Sequence, residues 1–425
     1  MPNNTVLFRN NLIDNYIAHF APNFTPSGLK HAITFIEGTI LVGCGSISAI
    51  SSLCLEQMDQ SSLNRFINDA RWNPEELNEE RLKFLQNNLQ TRSVESGLLI
   101  IDDSILEKTG KKMEGTSYHY SNSKKKSING HNLVTSHYKD DKKDYPLHFE
   151  LYRRKQELEA AGELDKFKTK IAIAIELIDA AIAAKIRSKV AVFDSWYLAK
   201  QICDHLGLHG IDWVSRAKLN RVINLPGGKT NLKEWIQDLP TSHFTSHPVP
   251  FQLRDEDSGE EIAYQFVYER ILSLSKLGTV KCVVIKRRLT DETGIILVSN
   301  RIDWDMEKII TIYKMRWKIE TFYRDSKQNL GLGKYYLRTL TGIKRHWALV
   351  VLSYTFLQYC TSFGIFSSFL DDMVSTTGDK VRRFQELYLK SLIDLIISSY
   401  KATGDMNAIY QLILQGKYKR IEKHN

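Results

Sequence analysis

Two short apolar runs that each end in an acid constrain the fold of this chain most. The first is GLLIIDDSILEK (97–108) and the second is KVAVFDSWY (189–197). Runs of this length, rich in Ile, Leu and Val, are typical of buried strands whose tips meet solvent. Between them lies FKTKIAIAIELIDAAIAAKI (167–186), which is long enough for a helix, and YLAKQICDHLGL after the second run predicts another. Strands that alternate with helices indicate an α/β domain.

The segment between the first strand and the first helix predicts further strands. SYHYSNSKKKSINGHNLVTSHY (117–138) and DYPLHFELYRRK (144–155) both alternate polar and apolar residues. Alternation with a period of two is the pattern of a half-buried strand. Strand, hairpin, helix, strand and helix together predict a mixed sheet with flanking helices.

Changes in the pattern of apolar and polar residues divide the chain into five parts. Residues 1–92 have apolar spacing near 3.6 and predict a helical N-terminal domain, which we expect to bind DNA. Residues 93–210 hold the first part of the α/β domain. Residues 211–300 predict a mainly β-rich insertion, residues 301–345 a helical region that completes the core, and residues 346–425 a helical C-terminal region.

Composition narrows the class of partner. The formal net charge is +9, which favours an anionic partner such as nucleic acid. Residues 34–54 and 347–360 are apolar, but the first contains Glu37 and the second is shorter than a membrane span. Cys44, Cys54, Cys203, Cys282 and Cys360 have no CxxC spacing. We therefore expect no membrane association, no disulfide framework and a reducing, cytoplasmic location.

Both strand-end acids have the same context. Asp103 and Asp194 each follow an apolar run and precede a hydroxyl residue. In open α/β sheets, ligand-binding residues gather beyond the carboxyl ends of strands. The alternative is that each aspartate only caps a turn.

A third acid lies in TIYKMRWKIETFYRDSKQNLGLG (311–333), which predicts one helix. At about 100° per residue, Tyr313, Arg316, Glu320 and Lys327 share an arc about 60° wide, and Arg324 borders it. The opposite side is apolar. This stripe predicts a functional face with one acid, one aromatic ring and several cations, and its alternative is an ordinary solvated face.

These motifs resemble a known family. ILVSN (296–300) and IYKMRWKIETFYRDSKQNLGL (312–332) are similar to the signature region of bacterial insertion-sequence transposases with a Tyr-Arg-Glu-Lys motif. IIDDSILEKTGKK and VAVFDSWY match the blocks of the first two acids, in the same order. The resemblance implies a DDE transposase with a ribonuclease H-like fold, located in the cytoplasm of a bacterium in association with the nucleoid.

The resemblance also implies roles for individual residues. Asp103, Asp194 and Glu320 would form the catalytic, metal-binding triad. Asp102 and Asp103 point to opposite strand faces, so only one faces the metals; Asp103 is preferred because Ser104 follows it. The expected DNA-binding residues are Tyr313, Arg316, Lys327, Arg324, Trp317, Arg216 and Lys218, with Lys124, Lys125 and Lys126 in a polar loop.

The implied chemistry suits these residue types. Phosphodiester cleavage by two Mg²⁺ ions, for which Mn²⁺ can substitute, needs hard oxygen ligands, and three carboxylates provide them. His119, His131, His137 and His148 lie in one stretch, but their spacing fits no zinc pattern.

The expected partners are double-stranded DNA, as transposon ends and target, and a second copy of the chain on DNA. Two other functions stay open: a ribonuclease H-like endonuclease without strand transfer, and a non-catalytic DNA-binding relative. The intact acids favour an enzyme over the second.

Overall fold

The computed structural model describes residues 11–43, 46–54, 59–110, 112–121, 124–254, 260–366 and 376–410. The chain divides into two compact units. A helical unit comprises Met1–Arg92, Gly110–Gly115 and Phe322–Asn425, and a sheet unit comprises Ser93–Thr109 and Thr116–Thr321.

The sheet unit is built on one mixed sheet, which has twelve strands among the described residues. The strands are β1 (Leu98–Glu107), β2 (Ser117–Ser121), β3 (Lys126–Lys139), β4 (Asp144–Tyr152), β5 (Val190–Phe193), β6 (Asp212–Arg216), β7 (Val222–Leu225), β8 (Gly228–Asn231), β9 (Thr245–Arg254), β10 (Glu261–Leu274), β11 (Gly278–Lys286) and β12 (Ile295–Ser299). Their order is β2–β3–β1–β5–β6–β12–β11–β10–β7–β8, and β4 also pairs with β3 and β9 with β10.

Helices precede β1, follow β12 and connect several of the strands. They are α1 (Asp14–Ile17), α2 (Pro26–Val42), α3 (Ile47–Ser51), α4 (Gln60–Asn68), α5 (Pro74–Asn87), α6 (Lys155–Ala160), α7 (Lys170–Ala183), α8 (Lys200–Leu208), α9 (Leu232–Gln237), α10 (Met306–Met315), α11 (Trp317–Asn329), α12 (Leu340–Ser362) and α13 (Thr377–Thr403). The predicted mixed sheet with flanking helices is confirmed.

The centre of the sheet combines both strand directions. β1 pairs antiparallel with β3 on one edge and parallel with β5 on the other, and β5 pairs parallel with β6. The strands of residues 211–300 continue this sheet, because β12 pairs with both β6 and β11. Sequence alone does not predict that continuity, since β6 and β12 lie about eighty residues apart.

The single helix predicted over 311–333 is wrong, because the chain forms two helices that meet at Arg316. α10 ends at Met315 and α11 begins at Trp317. The turn is tight at this point: the Arg316 amide donates to the Tyr313 carbonyl at 3.0 Å, and the Ile319 amide donates to the Arg316 carbonyl at 3.2 Å. Hydrogen bonds over three residues overwind a helix. The angular positions calculated for one regular helix therefore do not carry across Arg316.

The helices and cysteines of the described residues bear on the expectations about membranes and disulfides. No helix among them combines the length and the apolarity that a membrane crossing requires. Cys54, Cys203, Cys282 and Cys360 are free thiols. Cys44 lies outside the described residues.

A buried arginine holds part of the helical unit together. Arg345, on α12, donates from Nη1 to the Ile67 carbonyl at 3.1 Å and from Nη2 to the Trp72 carbonyl at 2.8 Å, and also contacts the Ala70 carbonyl. Its guanidinium lies 5.2 Å from the centre of the Trp72 ring. One side chain thus satisfies three carbonyl groups that follow or end α4.

We predict that Arg345→Met lowers the free energy of unfolding by about 3 kcal/mol, because buried carbonyl groups lose their donors. Lys344→Met is the matched control: Lys344 lies 3.6 Å from Glu75 at the surface, and such pairs contribute about 0–1 kcal/mol. Urea denaturation followed by circular dichroism measures both. Equal losses for the two variants would contradict the assigned role of Arg345.

Candidate catalytic site

The register of two parallel strands brings three aspartates to one region of the sheet. Ile101 of β1 pairs with Phe193 of β5, so Asp102 and Asp103 lie beside Asp194, which directly follows β5. The carboxyl ends of parallel strands meet at one sheet edge, where ligand sites form in open sheets. Residue order along β1 and β5 alone therefore concentrates negative charge here.

Arg316 links one of these aspartates to the glutamate of α11. Its Nη1 donates to Asp102 Oδ2 at 2.7 Å and its Nη2 donates to Glu320 Oε1 at 2.5 Å. The guanidinium carbon also lies 5.6 Å from the centre of the Tyr313 ring. Three residues of the Tyr-Arg-Glu-Lys motif are thus in direct contact, and Arg316 is only 5% exposed.

Asp102 is the most buried of these acids. Burial raises the pKa of its carboxyl well above the usual range, the Arg316 charge opposes that change, and the charges of Asp194, Glu320 and Asp103 add to it. All three other acids therefore act on Asp102 electrostatically. Like charges at this range resist simultaneous ionisation unless cations are bound among them.

Asp103 has different partners from Asp102. Lys170, the first residue of α7, donates to Asp103 Oδ2 at 2.7 Å, and the Tyr197 hydroxyl donates to Asp103 Oδ1 at 2.8 Å. Burial raises the pKa of Tyr197, and the nearby aspartates, Asp103 first, raise it further. The hydroxyl consequently stays protonated and continues to donate.

Asp194 is held by the turn that it begins. Its Oδ1 accepts the backbone amides of Trp196 at 2.9 Å and Tyr197 at 3.2 Å. This is the turn-capping contact considered as the alternative in the sequence, and it fixes the carboxylate that we expected to bind metal. Tyr197 connects the two aspartates, since its amide contacts Asp194 and its hydroxyl contacts Asp103.

Two residues of this cluster were not predicted from the sequence. Lys170 stands after Thr169, whose side chain caps α7 by accepting the Ala172 amide at 3.1 Å. Tyr197 is the last residue of the motif VAVFDSWY, three positions after Asp194. A search for side chains at fixed offsets from each acid could have found Tyr197, whereas Lys170 depends on how α7 packs.

The predicted DNA-binding residues differ widely in exposure. Tyr313 is buried at 8% exposure and Arg316 at 5%, so neither presents its side chain on an exposed stripe. Trp317 is half-buried, with the Arg254 guanidinium 4.6 Å from its ring centre. The remaining candidates are half-buried or exposed: Arg216, Lys218, Lys124, Lys125, Lys126, Arg324 and Lys327.

Some of these cations already have contacts within their own unit. Arg324 Nε donates to Asp325 at 3.1 Å, and Lys327 lies 6.0 Å from the centre of the Tyr323 ring. Lys124 pairs with Glu107. Lys218 is exposed at the start of the loop that follows β6.

The donors present suit hard divalent cations. Asp102, Asp103, Asp194 and Glu320 offer carboxylate oxygens, the ligand type that Mg²⁺ prefers. Arg316 and Lys170 neutralise part of their charge. When bound, Mg²⁺ ions in such a site neutralise charge on a phosphodiester and activate the attacking oxygen.

The part of the chain that contains the three aspartates matches a known family model. Residues 46–230 match the family model described as "DDE superfamily endonuclease". The matched range contains the aspartates and their partners Lys170 and Tyr197, and enzymes of this family generally depend on divalent metal ions.

Individual relatives include a transposase. The probable transposase for insertion sequence element IS701 from Microchaete diplosiphon is 25% identical over 283 residues, which cover 66% of this chain and 69% of that protein. Among solved structures, a cryo-EM structure of the piggyBac transposase synaptic complex with hairpin DNA aligns with 96% of this chain and 83% of that chain, at 11% identity and a TM-score of 0.47. The sequence similarity to the IS701 protein is distant.

We predict that the bridge between Asp102 and Arg316 is strongly coupled. Arg316→Met should lower the free energy of unfolding by about 3 kcal/mol or more, because it leaves Asp102 buried without its cation. Adding Asp102→Asn should recover part of that loss, which gives a coupling energy of about 1–3 kcal/mol. Denaturation of the parent, the two single variants and the double variant in a chelating buffer measures this coupling energy.

Lys200 and Asp204 provide the matched control pair. Both are on α8 and more than half exposed, so their coupling should stay near 0.5 kcal/mol or below. Additive effects at Asp102 and Arg316 would mean that the buried bridge is not energetically coupled.

Proposed function

We propose that this chain is a DNA transposase that cleaves transposon ends and joins them to target DNA with two Mg²⁺ ions. The observation that carries the proposal is the acidic cluster in the middle of β1 and at the end of β5, tied to Glu320 through Arg316. Four carboxylates in one region cost stability, and such arrangements are typical of functional sites. A DNA-binding protein without catalysis gains nothing from acids beside phosphates.

The proposed fold of the core is ribonuclease H-like. In support of this, β1 has an antiparallel neighbour and a parallel neighbour, and the first acids lie in the middle of this strand. The second acid follows β5 and the third lies on a later helix, the order implied by the transposase resemblance.

The proposed metal ligands are Asp194, Glu320 and one aspartate of β1. The resemblance indicates Asp103 for that position. The contacts favour Asp102 instead, because Arg316 joins it to Glu320 and the charges of Asp194 and Glu320 both act on it. Asp103 accepts hydrogen bonds from Lys170 and Tyr197 and would then contribute only to the electrostatic field at the metal site.

The chain's own residues would position these ligands before DNA arrives. The backbone amides after Asp194 fix one of its oxygens, and Arg316 fixes one oxygen each of Asp102 and Glu320. Preorganised ligands avoid reorganisation at the moment of reaction. The attacking group would be water for cleavage and a 3′-hydroxyl for strand transfer.

Exposed cations would supply the sequence-independent contacts with DNA. Lys124, Lys125 and Lys126 lie at the tip between β2 and β3, and Arg216 and Lys218 lie at the end of β6. Phosphate contacts of this kind add affinity and salt dependence. We also propose that Lys327, Arg324 and Trp317 contact DNA. The chain would act on DNA as a dimer.

An endonuclease that cuts without joining remains the second candidate, because strand transfer and hydrolysis use the same acids. The two differ in their products. Incubation of a precleaved DNA end with target plasmid yields joined molecules only for a transposase.

Glu320→Gln separates chemistry from binding. We expect Mg²⁺-dependent cleavage to fall by about 1,000-fold, since a metal ligand is lost, and DNA affinity to stay equal or to rise, since a negative charge is removed. The assay is nicking of supercoiled plasmid, which needs no particular sequence, and any inverted repeat identified in the DNA beside the gene provides a duplex probe. Cleavage at the parental rate would remove the main support for the proposal.

Two variants make the result specific. Glu307→Gln changes an exposed acid of α10, 65% exposed at its side chain, and should leave cleavage and binding unchanged. Lys327→Ala should show weaker binding, with a salt slope smaller by about one unit per lost phosphate contact.

Asp102→Asn and Asp103→Asn identify the first ligand. We expect Asp102→Asn to lower cleavage by about 1,000-fold and to weaken Mn²⁺ binding measured by electron paramagnetic resonance. Asp103→Asn should retain Mn²⁺ binding and lose only about 10-fold in rate, since it acts on the site from a neighbouring position. The opposite pattern would assign the metal to Asp103.

A further inference from the structure

A second group of potential metal ligands lies away from the acidic cluster, on α7 and α8. Asp179 belongs to α7, His205 to the last turn of α8, and His209 caps the end of α8. Their ligand atoms all lie within 4.8 Å of one another, and among the described residues this is the group of three that meets that condition.

The distances suit a small first-row cation. Asp179 Oδ1 lies 2.7 Å from His205 Nε2 and 3.8 Å from His209 Nε2. Zinc binds imidazole nitrogen and carboxylate oxygen at about 2.0–2.2 Å, which separates two ligand atoms by roughly 3–4 Å. His209 already meets this spacing, and His205 needs to move outward by about half an ångström.

The donor types distinguish this group from the acidic cluster. Two histidines four positions apart face the same side of a helix and commonly bind zinc together. Imidazole ligands favour Zn²⁺ and neighbouring transition metals over Mg²⁺. The side chain of Asp179 is 52% exposed and that of His209 38%, so an ion reaches them from solvent.

The geometry points to a transition-metal site, with Zn²⁺ as its occupant, formed by Asp179, His205 and His209. Bound zinc connects α7 to α8. α7 begins with Lys170 and α8 follows Tyr197, and both of these residues hold Asp103. The site therefore stabilises the two helices that support the acidic cluster and takes no part in cleavage.

The test uses the full chain without a histidine tag, first stripped of metal and then titrated with Co²⁺ and Zn²⁺. We expect about one Co²⁺ per chain with visible absorption of a nitrogen- and oxygen-ligated ion, displacement by Zn²⁺, and a higher Tm with Zn²⁺ but not with Mg²⁺. Binding should weaken in acid, because protonated imidazole is not a ligand.

Variants make the assignment specific. His209→Ala and Asp179→Asn should each weaken Co²⁺ binding by at least about 10–100-fold and abolish the zinc-dependent rise in Tm. His247→Ala is the matched control, because His247 pairs with a single acid, Glu307, at 3.1 Å, and should bind Co²⁺ like the parent.

Mg²⁺-dependent nicking of plasmid by His209→Ala should equal that of the parent. Co²⁺ binding that persists in both His209→Ala and Asp179→Asn would overturn the site. So would a parent chain that binds Co²⁺ no better than these variants.

Discussion

Repulsion among four carboxylates is the constraint on which the candidate site depends. The pairing of β1 with β5 brings three aspartates together, and α11 adds Glu320. The chain offsets this charge from two directions, with Arg316 against Asp102 and Glu320 and with Lys170 against Asp103. Because a buried pair loses more solvation than it regains, this arrangement favours a reactive site over maximal stability.

The break between α10 and α11 lies at Arg316, the residue that bridges Asp102 and Glu320. Arg316 reaches Asp102 across 214 positions of sequence while it also contacts Glu320 four residues ahead. Periodicity describes one helix and its two sides, so the sequence placed Tyr313 and Arg316 on an exposed stripe. Arg316 is buried against Asp102, a partner on a distant strand that local spacing cannot reveal.

Signals that repeat locally were predictable. Apolar runs located β1 and β5, and the Ala/Ile-rich segment located α7, because burial imposes composition on each element. The adjacent aspartates show the limit of prediction from local pattern. Strand alternation predicts that Asp102 and Asp103 face opposite sides of the sheet, but it does not predict which of them faces Glu320. Tyr197 was within a recognised motif, yet its contact with Asp103 follows from the turn geometry after Asp194.

The two sets of ligands also divide by chemistry. Oxygen donors gather around β1 and β5, where a phosphodiester is the proposed substrate, and the imidazoles of His205 and His209 lie at the end of α8, beside Asp179 of α7. Imidazole and carboxylate sites select different ions, so zinc and magnesium need not compete. Since Lys170 and Tyr197 are attached to the helices that zinc would join, the free energy of zinc binding stabilises the surroundings of Asp103. Zinc would thus hold the carboxylates of the acidic cluster in place from outside. It would not strengthen their ion pairs with Arg316 and Lys170, which an incoming Mg²⁺ ion has to replace.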